Sequence, residues 1–255
     1  GFTSLWYPGA VGGDPLVQMA LAGRATSRIE LGTAVLQTYP CHPTLQASRV
    51  KAVAEAIGRP VTLGVGPSHR MVVERLGFSY DNVGQHTEDY VRALAGELGG
   101  ELPLLLAALG PRLLRVAGEL ADGTVVWMAN ARAVESHVVP RITRAAAGAG
   151  RPAPRVVAGL PVAVHGNDDE ARSAVSDQFG FYATLPNYQR ILAHGGIDSP
   201  TQAAILGDEE AVTRQIQTLF AAGVTDLWAA PVPVGTDRSA SRARTRVLLS
   251  ELAKR

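Results

Sequence analysis

The residues of this chain that could do chemistry gather in a few short stretches. Gly64-Val65-Gly66-Pro67-Ser68-His69 has the make-up of a strand-to-helix turn. Its glycines permit close backbone approach, and the helix start that follows exposes N–H groups able to hold a phosphate, with the Ser68 hydroxyl as a further donor. Leu109-Gly110-Pro111-Arg112 is a second such turn. Pro111 has no N–H, so a contact to an anion there must come from neighbouring amides such as those of Gly110 and Arg112. Neither stretch is a complete G-x-G-x-x-G, and each is also legible as an ordinary helix opening. An imidazole at His69 is suited to accepting or donating a proton near neutrality. His42, between Pro40 and Pro43, is a second imidazole, and a lone histidine in a proline-rich loop also reads as structural. Trp127, Met128 and Asn130 follow an apolar run and suit the wall of an apolar pocket. The six histidines show no H-x-H or H-E-x-x-H spacing, and the carboxylates cluster at helix starts where capping explains them, so no metal site is expected.

The elements that must position these residues alternate along the chain. Short apolar, β-branched runs at residues 4–7, 29–36, 61–65, 102–109, 124–128, 155–165 and 226–230 read as strands. Between them lie helical stretches with legible starts and stops: Asp14-Pro15, a stop at Gly58, starts near Ser68 and Gln85, Gly110-Pro111, Asp168-Asp169, Pro186, and Gly207-Asp208 ending at Gly223. A helix over 133–147 should be broken or kinked by Pro140, and a last helix spans 239–254. Strand and helix in strict alternation imply βαβ units and a parallel sheet. Seven strands are counted where a closed (β/α)8 barrel needs eight. An N-terminal unit, and a loop near Gly99-Gly100, are therefore expected to belong outside residues 1–255.

Composition narrows the function classes. The chain has 255 residues, 46% of them hydrophobic, with 24 basic and 23 acidic side chains for a formal charge of +1. No chain-wide field draws in nucleic acid or an acidic membrane, and a small-molecule substrate is expected. No apolar run approaches the roughly 20 residues that span a bilayer, and no secretory pattern opens the chain. The single Cys41 excludes an internal disulfide and fits a reducing, cytoplasmic setting.

Five fragments, taken in order, carry a resemblance that covers nearly the whole chain. They are Ser4-Leu5-Trp6-Tyr7-Pro8, the run Ala25-Thr26-Ser27-Arg28-Ile29-Glu30-Leu31-Gly32-Thr33-Ala34-Val35, Thr62-Leu63-Gly64-Val65-Gly66, Ala107-Ala108-Leu109-Gly110-Pro111, and Ala117-Gly118-Glu119-Leu120-Ala121-Asp122-Gly123. In combination the chain resembles the luciferase-like superfamily, in particular its actinobacterial F420-dependent oxidoreductases. The resemblance implies one luciferase-like TIM-barrel domain over residues 1–255, with the visible strands as the second to eighth of the barrel. It implies a cis peptide at Ala34-Val35 forming a bulge that supports a flat ring, with Thr33, Ala34, Val35, Gln37 and Thr38 beside that ring. It places a phosphate tail at Gly66, Ser68 and His69 and at Leu109, Gly110 and Arg112. His69 falls where a related F420-dependent sugar dehydrogenase has a carboxylate near the reactive ring face, and His42 lies just beyond the bulge. Trp127, Met128 and Asn130 then line the substrate side. One departure stands out: many F420-dependent relatives carry an acidic residue and a histidine at the second strand's end, where this chain has Pro8-Gly9-Ala10. The implied activity is hydride exchange between coenzyme F420 and a small organic substrate, in a homodimer. The alternatives are an FMN-dependent monooxygenase and a catalytically silent ligand-binding barrel. A phosphosugar isomerase lacks an obvious catalytic lysine or glutamate at a strand end.

Overall fold

The apolar runs pair as parallel strands, and the capped stretches between them return the chain as helices. The computed structural model describes residues 1–9 and 13–254. The described residues fall into two compact units, one of Thr3–Val125 with Ile142–Arg155, the other of Gly1–Phe2, Val126–Arg141 and Val156–Arg255.

In the first unit β1 (Ser4–Tyr7) pairs in parallel with β2 (Glu30–Thr33), Ser4 opposite Glu30. The strands β3 (Leu36–Gln37), β4 (Leu63–Gly66), β5 (Leu104–Ala107) and β6 (Gly123–Trp127, of which Gly123–Val125 belong to this unit) pair in that order, all parallel. Every residue of β4 is buried, as expected for a strand covered on both faces. The helices are α1 (Pro15–Ala25), α2 (Pro43–Ile57), α3 (Arg70–Arg75), α4 (Val83–Leu98) and α5 (Pro111–Leu120). Asp14 caps α1 by accepting from the Leu16 N–H, with Pro15 in the first turn, and α2 stops at Gly58, whose φ of 70° is left-handed. At the N-terminal ends of the strands, Arg155 grips Glu30 with two hydrogen bonds of 2.6 and 2.8 Å, and the Thr62 hydroxyl donates to the same carboxylate. The Arg155 guanidinium also lies over the Trp6 ring, 5.2 Å from its centroid.

In the second unit β7 (Arg155–Val164) pairs in parallel with β8 (Ile205–Gly207) and β9 (Asp226–Pro231). Ala163, Val175, Leu206, Val232 and Val234 form a core between these strands and their helices. Here α6 (Ala131–Ala133) passes through a π-helical turn, Val134–Val138, into α7 (Val139–Gly148), whose residues from Ile142 on belong to the first unit. The wide turn precedes Pro140, so the expected break takes the form of a π-turn inside a continuous helix. His137 in that turn is buried and stacks on His194, ring centroids 3.7 Å apart. The remaining helices are α8 (Asp168–Phe179), α9 (Pro186–His194), α10 (Pro200–Ala203), α11 (Glu209–Ala221) and α12 (Arg238–Leu252).

Two differences from the sequence-based strand count have physical reasons. The single strand expected over 29–36 is two, β2 and β3, divided at the cis peptide bond between Ala34 and Val35. An apolar run carries no mark of that bond. The short β8 was not expected, because its three residues merge into the glycine and aspartate that open α11. At α8 the cap is Asn167, and Asp168 and Asp169 lie in the first turn where the helix dipole favours them.

Candidate active site

In the first unit the loops after β1, β3, β4 and β5 leave the C-terminal ends of parallel strands, where barrels of this kind carry their chemistry. The segment around the cis bond is held from below by a reciprocal pair: the Thr33 hydroxyl donates to the Gly64 carbonyl at 2.8 Å and accepts from the Gly64 N–H at 2.9 Å. Thr33, Ala34 and Thr38 are buried, whereas Val35 and Gln37 are half-buried. Val35 packs over the glycines of β4. A Cβ on Gly66 would lie 2.8 Å from a Val35 methyl carbon and 2.8 Å from the Ala107 Cβ, so the strand end must be glycine. Gly9, after β1, is constrained the same way, since its Cβ would meet the Val35 carbonyl oxygen at 2.2 Å. The Pro8-Gly9 departure therefore accompanies a backbone that lies directly against the bulge; Ala10 lies outside the described residues. Within the described residues the Gln37 carboxamide makes no hydrogen bond.

The turn after β4 is the other half of the site. Ser68 has a φ of 62°, in the left-handed region, and its carbonyl accepts a 2.9 Å hydrogen bond from the Tyr80 hydroxyl. Its own hydroxyl has no partner among the described residues. His69 follows as the cap residue of α3, and burial pushes its imidazole below the usual value, which favours its neutral form. After β5, Gly110 caps α5 with no side chain, and a Cβ built there meets nothing within 4 Å. The amides of Arg112 and Leu113 are thus an open helix N-terminus. The Arg112 guanidinium runs along α4, bonded to Gln85 at 2.8 Å and Glu88 at 3.3 Å. Leu109 is half-buried beside this turn.

The helix caps separate these two turns from most others. Asp14, His42, Asn130, Asn167, Asp208 and Asp237 cap α1, α2, α6, α8, α11 and α12 with side chains, but α3 and α5 start without one. His42 is exposed, and its Nδ1 accepts from the Thr44 N–H at 3.3 Å. Open amides, the free Ser68 hydroxyl, the space at Gly110 and an unpartnered carboxamide at Gln37 suit a ligand with a phosphate and a flat polar-edged ring.

Sequence reading missed a cluster of rings beside this site. His86 on α4 sits 3.1 Å from the Thr38 hydroxyl through its Nε2 and stacks on Tyr39 at 3.9 Å. Tyr39 stacks in turn on Tyr80 at 5.9 Å. No local signal marks His86, because its partner is 48 positions away.

In the second unit Trp127 is half-buried at the centre of a ring cluster, 5.0 Å from Trp228, 5.5 Å from Phe179 and 6.0 Å from Tyr182. Gly159 makes room for the two tryptophans, since its Cβ would lie 2.5 and 2.6 Å from their rings. Met128 is fully buried with a φ of 63°, so its side chain packs in the core. The Asn130 side chain caps the Ala133 N–H at 3.0 Å and donates to the Gly195 carbonyl at 3.1 Å. Among the described residues no group of three or more His, Cys, Asp or Glu side chains could hold a metal ion, and no helix is long and apolar enough to cross a membrane.

The family described as luciferase-like monooxygenase matches residues 1–101 and 96–242, and the chain belongs to it. The 5,10-methylenetetrahydromethanopterin reductase of Methanolobus tindarius is 24% identical over 231 residues, covering 81% of this chain and 71% of that protein. The coenzyme F420-dependent tetrahydromethanopterin reductase of Methanopyrus kandleri superposes with a TM-score of 0.78 at 21% identity, covering 95% of this chain and 88% of that one. The FMN-bound oxygenating constituent of 3,6-diketocamphane monooxygenase from Pseudomonas putida superposes with a TM-score of 0.71 at 16% identity, covering 97% and 87%. These likenesses show the fold, the luciferase-like (β/α)8 barrel.

Proposed function

We propose that the chain is an F420-dependent oxidoreductase that exchanges a hydride with a small organic substrate. The observation that carries this reading is the uncapped start of α5 beside the Ser68 turn, within the same unit as the cis-bonded segment. The likeness to the coenzyme F420-dependent tetrahydromethanopterin reductase supports the choice of cofactor. Bound F420 would supply a two-electron hydride couple. The chain's own residues do the rest. The Gln37 carboxamide would orient the polar edge of the ring, and Val35, packed over the β4 glycines, would help exclude water. The Arg112 and Leu113 amides and the Ser68 hydroxyl would hold the phosphate. The half-buried His69, whose neutral form burial favours, would accept a proton at an imidazole nitrogen; this is the role left open by Pro8-Gly9. Within the second unit, Trp127 belongs to an aromatic cluster suited to an apolar or planar ligand.

Spectral titration tests the reading. Micromolar binding of F420, with FMN at least tenfold weaker, is expected. Tight FMN binding without F420 binding would favour the second reading, an FMN-dependent monooxygenase, which the diketocamphane monooxygenase likeness supports. A homodimer and a single folding domain are further parts of the proposal, testable by sedimentation and by a single unfolding transition.

A further inference from the structure

Gln37 is bracketed on both sides. Before it, the reciprocal Thr33 and Gly64 hydrogen bonds fix the start of the bulge. After it, Thr38 is fixed twice: its N–H donates to the Gly66 carbonyl at 3.0 Å, and its hydroxyl meets the His86 Nε2 at 3.1 Å. Thr38 is 1% exposed, so its hydroxyl hydrogen needs a protein acceptor, and Nε2 is the one within reach. That assigns His86 the Nδ1–H tautomer with a lone pair on Nε2. The face of the same imidazole rests on Tyr39 with an interplanar angle of 15°, which sets its orientation. Tyr39 leads through Tyr80 to the Ser68 carbonyl, so His86 touches the framework of both halves of the site without belonging to either strand end.

We propose that His86 is a positioning residue for the cofactor: by accepting the Thr38 hydroxyl hydrogen at Nε2 it holds the backbone that presents Gln37. The inference rests on the reading of this site as a deazaflavin or flavin site.

Three measurements test it. In 15N-labelled protein without cofactor, the His86 ring should show the Nδ1–H tautomer; an Nε2–H tautomer overturns the assignment. His86→Phe keeps a ring against Tyr39 but removes the acceptor, and the loss of one hydrogen bond should weaken F420 binding about tenfold. His86→Gln places an amide oxygen near the Nε2 position and should recover most of that loss, whereas a purely structural role for the ring predicts the reverse order. Thermal unfolding of both variants checks that they are folded. Wild-type-like binding by His86→Phe, or binding weakened more by His86→Gln than by His86→Phe, would overturn the positioning role. If the wild type binds neither F420 nor FMN, it is the functional reading that fails, and the positioning role with it.

Discussion

Replacing Gly110 by aspartate should separate stability from ligand binding. Gly110 has an extended backbone, φ −96° and ψ 160°, and open space at its Cβ, so the new side chain fits without strain. Its carboxylate would accept from the α5 amides that no side chain now caps. Relative to glycine at the cap this gains a few tenths of a kcal/mol, and the negative charge at the helix N-terminus adds about 0.3–1 kcal/mol. A phosphate that used those amides loses charge-assisted hydrogen bonds of about 1.5–3 kcal/mol. It also meets a carboxylate at close range, a repulsion of about 1–4 kcal/mol at 4 Å for effective dielectric constants between 80 and 20. The sum, about 2.5–7 kcal/mol, is a loss of affinity of at least about seventyfold. Gly110→Ala is the control. It leaves the amides open, so binding should change by less than about threefold, while stability falls by about 0.5–1 kcal/mol because alanine caps poorly. Differential scanning calorimetry and cofactor titration by fluorescence measure the two quantities. A Gly110→Asp protein that binds F420 like the wild type would refute the assignment of the α5 N-terminus as the phosphate site.

Three further outcomes follow from other parts of the molecule. Glu30→Gln removes the negative charge that the part-buried Arg155 guanidinium grips at the N-terminal ends of the strands. Stability should fall by about 1–3 kcal/mol, and cofactor affinity should not change; a shifted Kd would contradict the separation of the two ends. Gly64→Ala would drive a Cβ to 2.1 Å from the Thr33 carbonyl oxygen, and a loss of about 3 kcal/mol or more is expected by urea unfolding, so near-native stability would count against this packing. Burial holds His69 and His86 below the ordinary imidazole value of 6.5, so the unfolded chain binds protons more readily than the folded one. The stability these two contribute is present above pH 6.5 and is lost as the pH falls through it towards their folded values. Glu209, held at about 2 by Arg244, stays ionised through that range and adds no slope there. The urea midpoint should therefore drop between pH 7.5 and pH 5.5, and an equal or higher midpoint in acid would refute the sign.

What could be read in the sequence was what local chemistry writes there. Asp14 before Pro15, Gly58 after an alanine-rich run and Asp208 after Gly207 mark helix ends because capping and left-handed glycine need particular residue types at particular places. The strand starting at Arg155 was legible because a covered parallel strand is a continuous apolar run. The division of β2 from β3 and the three residues of β8 leave no such trace. The site divides in the same way. The two glycine-containing turns were visible as turns, and the bond between Ala34 and Val35 was reached through resemblance. That Thr33 and Thr38 are held by other protein groups, and that His86 does part of the holding, depends on pairings across 31 and 48 positions. Residue types along the chain carry no record of such pairings.

The two units are also interleaved along the chain. The first takes Thr3–Val125, yields Val126–Arg141 to the second, and resumes at Ile142–Arg155. Arg155, which clasps Glu30, is the last residue of the first unit, 125 positions after its partner. A chain emerging from the ribosome therefore cannot complete the first unit until part of the second has already been made. For the same reason no single proteolytic cut can release either unit whole. A nick after Val125 leaves the fragment that would contain most of the candidate active site without the residues that close its strand bottoms.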